Sequence, residues 1–184
     1  MTQISSWNSR KSVKKGNVGE SLVDAYLLSK GCIPYAPQAD KAHPFDRLCA
    51  TGDKKTIFIA EVKTKARRTK YPDTGIDSTA IAGYSDIQEK HRLRVFIFFV
   101  DEGEGRIYGN WLNDLRQQIQ VIHNGKELSY PMTSFGIVYF PMEVMRDICE
   151  LKAEVITELR ALSSRCCAYY GDGSNDKQRD RNSS

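Results

Sequence analysis

No stretch of this chain approaches the roughly 18 consecutive apolar residues that a membrane-spanning helix needs. The first thirty residues also lack the combination of a basic start, an apolar run and a small-residue cleavage site. The expectation is a protein with no membrane partner that is not secreted and works inside the cell, in the cytoplasm. The five cysteines, Cys32, Cys49, Cys149, Cys166 and Cys167, form no CxxC pair and are odd in number. That reads as reduced thiols, and Cys166-Cys167 without a second ligand pair argues against zinc. Neither a Gly-x-Ser-x-Gly segment nor a P-loop occurs, which argues against a serine hydrolase and against NTPase-coupled chemistry within the chain. Charge of one sign is scarce too: 27 Lys and Arg against 23 Asp and Glu leave a net charge of +4. An anionic partner must therefore be argued from where the charges lie.

What is present suits one domain, since 184 residues with 40% hydrophobic content can bury a single core. Residues 1–16 are polar and basic, with Arg10, Lys11, Lys14 and Lys15, and read as a flexible arm able to lie along a phosphate backbone. Residues 17–167 hold the folded domain, and 168–184 lack the apolar content to order them. Asn17 is an N-cap candidate for a helix over 18–30 that ends at Gly31. Strands are expected over 32–36, 45–51 and 56–65, the last two joined by Thr51-Gly52-Asp53-Lys54. A connection over 71–75 leads to a helix over 78–92, and 95–100 is a short apolar run suited to a central strand. A strand over 106–108 pairs with it across an acidic turn, 102–105, that reads as solvated. A short helix over 111–116, an irregular segment over 121–131 and a strand over 136–140 follow. From Pro141, Val144, Ile148, Leu151, Val155, Leu159 and Leu162 recur at helical spacing, as a core element or a dimer interface. The fold class is α/β.

The chemistry concentrates at the end of one strand. Over 56–65, Ile57, Ile59, Glu61, Lys63 and Lys65 share one face, while Phe58, Ala60 and Val62 share the other. A face that starts apolar and ends Glu-Lys-Lys leaves the core at one end of the sheet. Counting back from the turn, Asp46 falls beside Glu61. Two carboxylates so close repel each other, and a divalent cation compensates them. With no His or Cys near except His43, the oxygen donors favour Mg²⁺ or Mn²⁺ over zinc. Lys63 can then orient a water or neutralise charge developing on a phosphate. Together these parts can hydrolyse a phosphodiester.

Phe45-Asp46, then Glu61-Val62-Lys63 ending an apolar strand, with Gly19-Glu20 in a preceding helix, resembles the PD-(D/E)XK nuclease superfamily over about 18–100. The resemblance implies a restriction-endonuclease-like mixed central sheet flanked by helices, and metal-dependent cutting of DNA. It also implies that Asp46 and Glu61 bind the metal, that the Val62 carbonyl is a backbone ligand and that Lys63 is the catalytic lysine. Glu20 would be the helix carboxylate aimed at the site. The motif's proline is displaced, with Pro44 two positions before Asp46. Independently of the resemblance, Glu20 and Asp24 form a polar stripe on an apolar helix, and buried carboxylates need a partner.

The run Lys63, Lys65, Arg67, Arg68 and Lys70, five positive side chains, reads as a phosphate grip. Five neutralised phosphates would give a slope of log affinity against log salt of roughly −4 to −5 on duplex DNA. Tyr84, Gln88 and His91 share a face of the helix over 78–92, and a similar helix in several superfamily members contacts substrate. With Lys14 and Lys15 of the arm, these are the candidate DNA-binding residues. The expected activity is that of a Mg²⁺-dependent deoxyribonuclease, Mn²⁺ substituting. It would be selective for DNA structure, in the manner of junction-resolving or recombination-linked members, and would act as a homodimer with a recruiting protein still to be named. The alternative is a non-catalytic nucleic-acid-binding, accessory or inhibitor protein that keeps the fold.

Overall fold

The structure is a computed structural model that describes residues 10–37 and 43–163. Residues 1–9 of the basic arm, Cys166, Cys167 and the tail over 168–184 lie outside the described residues. The architecture is α/β: a mixed central sheet with helices on both faces. Its order is β1 (Ile33–Tyr35), β2 (Arg47–Ala50), β3 (Ile57–Thr64), β5 (Arg94–Asp101), β6 (Arg106–Trp111) and β11 (Arg146–Glu150). Only β3 and β5 pair in parallel. That pairing requires a crossover, which runs through β4 (Asp73–Asp77) and α2 (Ser78–His91).

Alternation along the strands separates two cores. Phe58, Ala60, Val62, Phe98, Val100 and Ile107 face α1 (Lys11–Ser29) and α4 (Ala153–Leu162), where they meet Val23, Leu27 and Leu159. Ile59, Ile97 and Phe99 face the opposite way, onto Ile81 and Tyr84 of α2 and onto Leu112 and Leu115 of α3 (Leu112–Leu115). The same face is extended by Ile76 of β4 and Phe140 of β10 (Ile137–Pro141), which pair with each other's strands and with β9 (Met132–Ser134) in a second sheet.

Several expectations are corrected. The first helix begins at Lys11, so Asn17 is not its cap and part of the expected arm is helical. The cause is Lys15, which is buried and ion-paired with buried Glu102, an oxygen of which also accepts from the Ser163 hydroxyl at 3.0 Å. The turn over 102–105 is correspondingly not a solvated one: Asp101 and Glu102 are both buried, and Asp101 accepts from the N–H groups of Gly103 and Glu104. Residues 73–75, read as part of a connection over 71–75, belong to β4 against β10. The segment read as irregular is the hairpin β7 (Ile119–His123) with β8 (Lys126–Tyr130). The long helix expected from Pro141 is instead a 3-10 turn (Met142–Val144), strand β11 and α4. Of the two roles expected for this segment, core element or dimer interface, Leu159 of α4 takes the first, buried against α1.

Gly19 sets how closely α1 can lie on β3. A Cβ there would stand 1.9 Å from the Thr64 Oγ1 and 3.0 Å from its Cβ. Gly19→Ala is therefore expected to cost about 1–3 kcal/mol in urea denaturation. Thr64 Oγ1 is buried without a hydrogen-bond partner among the described residues. Adding Thr64→Ala should accordingly return most of that loss, and a strictly additive double variant would sink this reading.

Candidate active site

The apolar run Ile57-Phe58-Ile59-Ala60 drives β3 into the centre of the sheet, and the strand reaches the sheet's edge region only at Glu61-Val62-Lys63. Arg47 pairs with Ala60, so continuing the register sets Asp46 opposite Glu61. The side chains bear this out. The Val62 N–H donates to Asp46 Oδ2 at 2.7 Å, and the Asp46 N–H approaches Glu61 Oε2 at 3.3 Å. N–H and C=O of one strand residue project to the same edge, so the Val62 carbonyl faces the Asp46 side as well.

Glu61 is 4% exposed and holds two contacts besides. Its Oε1 accepts from Lys63 Nζ at 2.6 Å and from the Tyr84 hydroxyl of α2. Lys63 Nζ also lies 5.7 Å from the centre of the Tyr84 ring. Burial, then the charge of Asp46, push the Glu61 carboxyl above its usual range, against the opposing pull of Lys63 and Tyr84. Burial likewise raises the Tyr84 hydroxyl, and the Glu61 charge adds to it, so Tyr84 remains a donor.

Glu20 stands apart from this pair. Arg47, one residue after Asp46 and on the opposite face of β2, donates to Glu20 Oε2 at 2.9 Å and to Asp24 through both Nε and Nη2 at 2.8 and 2.9 Å. Its Nη1 reaches the Asp46 carbonyl at 2.8 Å as well. Burial first, and then Asp46, raise the Glu20 carboxyl, so the two acids feel each other although a guanidinium holds one of them. Glu20 Oε2 is thus engaged by Arg47, whose guanidinium also reaches the Asp46 backbone. Arg47 is the residue that sequence reasoning missed. Glu20 and Asp24, four apart on one helix face, already required a forked cation.

Among the described residues no three His, Cys, Asp or Glu side chains converge on a point that could hold a metal ion. The donors that do converge, two carboxylates and a backbone carbonyl, nevertheless fit a hard cation. Mg²⁺ is commonly held by one or two carboxylates and keeps its remaining places for water and substrate phosphate.

The expected DNA grip is largely redirected inward. Lys65 Nζ donates to the Gly75 carbonyl at 2.6 Å, and Arg67 pairs with Glu104 at 2.5 Å. Arg68 forms a fork with fully buried Asp73 and is stacked between the rings of Tyr71 and Tyr139, at 4.2 and 3.8 Å. Lys15 is buried, and Tyr84 holds Glu61 instead of facing substrate. Gln88 donates to Asn113 at 3.0 Å. Lys14 and Lys70 are exposed. His43 lies outside the carboxylate pair, its Nδ1 at 3.1 Å from the Phe45 carbonyl.

No protein-family model matches the chain, and no curated protein matches it. Among solved structures it is similar to Hjc, a Holliday junction resolvase from the archaeal hyperthermophile Archaeoglobus fulgidus. The TM-score is 0.47 at 12% identity, over 77% of this chain and 99% of that one. A likeness that remote says nothing about activity, which rests on the residues. No helix among the described residues is long and apolar enough to cross a membrane.

Proposed function

We propose that this chain is a Mg²⁺-dependent nuclease that hydrolyses DNA phosphodiesters and selects its substrate by DNA structure. The observation that carries the reading is the meeting of Asp46, Glu61 and Lys63 at one strand end, with Tyr84 fixing Glu61 from behind. Asp46, Glu61 and the Val62 carbonyl would hold the cation. Bound there, it would polarise a phosphoryl oxygen and lower the pKa of an attacking water. Lys63, beside Glu61, would orient that water and balance charge building on the phosphate. Tyr84 holds the same Glu61 oxygen as Lys63 does, and Arg47 would neutralise Glu20 and Asp24 so that Asp46 and Glu61 are the charges left to face the cation. The domain that does this includes α1 from Lys11 onward; DNA is the partner, and a homodimer suits a two-armed substrate.

One observation favours a second reading. Both oxygens of Glu61 are already engaged within the chain, as they would be in a protein that binds DNA without cutting it. A labelled panel of linear duplex, single strand, flap, four-way junction and supercoiled circle, with Mg²⁺, Mn²⁺ or EDTA, separates the two. The expected result is metal-dependent cutting, strongest on branched DNA and abolished by Lys63→Ala while binding persists. Binding without cutting on every substrate and with either metal would overturn the enzyme reading.

A further inference from the structure

Two tight hairpins of this chain share one backbone geometry and differ in one residue. β7 and β8 are joined by Asn124-Gly125 with φ of 49° and 73°, and β9 and β10 by Phe135-Gly136 with φ of 49° and 77°. His123 pairs with Lys126 across the first, and Ser134 with Ile137 across the second, so both are two-residue loops. Such loops need left-handed backbone at both positions, which is why Asn-Gly is favoured there. Asn adopts that conformation at small cost, whereas a bulky aromatic residue does so against its sterics. Packing does not compensate Phe135, which is 95% exposed. A side chain that is both strained and unpacked points to a use outside the fold.

Its position says what the use is. The Gly136 carbonyl accepts from the Ser78 N–H at 2.7 Å, and Ile137 pairs with Asp77, so the turn is fastened to the first residues of α2. Asp77 caps that helix through Thr79, and the hydrogen bonds from Thr79, with the Lys63 ammonium behind them, hold its carboxyl below the usual range. Two turns further along the same helix, Tyr84 bonds Glu61. Phe135 is thus carried on a turn fastened to the start of the helix whose Tyr84 bonds Glu61.

We propose that Phe135 is a stacking wedge that receives an unpaired base of the DNA whose phosphodiester lies at Asp46, Glu61 and Lys63. The inference rests on reading that site as one that takes DNA. Every base offers a flat π-face, so stacking on an aromatic ring tolerates any sequence while demanding that the base be unstacked. In continuous duplex that unstacking is costly; at a branch, flap or frayed end the base is already free. One exposed ring beside the cutting site would therefore supply selection by structure without contacts to base edges.

The test uses the full chain with 2-aminopurine at the branch point of a four-way junction, beside a matched linear duplex, for the native protein, Phe135→Asn and Phe135→Trp. Binding is read in EDTA, and cutting afterwards with Mg²⁺. Native protein and Phe135→Trp should change the 2-aminopurine fluorescence on binding. Phe135→Asn should lose that change and bind the junction about tenfold more weakly, with duplex affinity unchanged. Because Asn relieves the turn, its melting temperature should equal or exceed that of the native chain, whereas a merely structural role for Phe135 would lower it. Unchanged junction affinity and fluorescence in Phe135→Asn, or no DNA binding by the native protein, would overturn the wedge. Junction cutting that survives Phe135→Asn at full rate would remove the wedge and leave the nuclease. A Phe135-dependent signal with no cutting in Mg²⁺ or Mn²⁺ would remove the nuclease and leave the wedge.

Discussion

Glu61→Gln is expected to leave a folded protein that still binds DNA and cuts it on the order of 10²- to 10³-fold more slowly, the scale seen when one electrostatic partner of a transition state is removed. The same change should alter stability in a direction fixed by the site. Burial and Asp46 raise the Glu61 carboxyl in the folded chain above its ordinary value of 4.5. A raised folded pKa contributes stability that is fully present below the unfolded value and is lost as pH rises through the folded one. Without metal, the native chain should therefore lose stability relative to Glu61→Gln as pH climbs from about 4.5 through that raised value, and the gap should then stay constant. Mg²⁺ should reverse the gap at neutral pH, adding about 2.7 kcal/mol to the native chain at a hundred times its Kd and little to the variant. Thermal melts of both proteins across pH, with and without Mg²⁺, measure all three effects. An equal Mg²⁺ shift in the two would remove Glu61 from the metal site.

Arg68→Ala should be the most damaging single change outside the site. It strips the forked partner from Asp73, which is fully buried and would keep, among the described residues, the Tyr130 hydroxyl on its side chain. Removing one member of a buried ion pair costs about 3–5 kcal/mol because the other charge remains unpaired. For a domain of this size that corresponds to a melting temperature lower by on the order of 10 °C. Arg68→Lys should recover little of it, since an ammonium neither forks onto Asp73 nor stacks flat between Tyr71 and Tyr139. DNA binding supplies the contrast. A phosphate contact would contribute about 0.9 to the salt slope, so a folded Arg68 variant with an unchanged slope places the residue in the scaffold. A slope reduced by one unit with stability intact would restore its role as a grip.

These two predictions mark what could and could not be read from the sequence. β3 was legible because Ile57, Ile59 and Glu61 alternate with Phe58, Ala60 and Val62, and the register that brings Asp46 to Glu61 follows from counting back from Gly52. The fate of the basic run was hidden, because its partners Asp73, Gly75 and Glu104 are supplied by later segments. Lys15 was misread for the same reason: its counter-ion, Glu102, is 87 residues away. β11 was taken for helix because Val144, Ile148 and Leu151 happen to continue the spacing of Val155 and Leu159 in α4. The hairpin of β7 and β8 carries a strong turn signal in Asn124-Gly125, but its two strands are too weakly apolar to read as strands on their own. Phe135-Gly136 gave no such signal, since an aromatic residue is not what that turn prefers.

The parallel pairing of β3 with β5 carries a consequence for how the protein is made. Glu61 lies opposite Ile97, so the strand bearing it emerges from the ribosome before its central neighbour exists. At about 5–20 residues per second, a few seconds pass while the crossover and α2 are still being synthesised. During that interval Phe58, Ile59 and Ala60 have one flank uncovered, and the nascent chain is open to capture by a chaperone or by another copy of itself. A product cut short before residue 94 would hold Asp46, Glu61 and Lys63 in sequence without the sheet that positions them. Interrupted translation would then yield an inert fragment, and cutting would begin only once the crossover has closed.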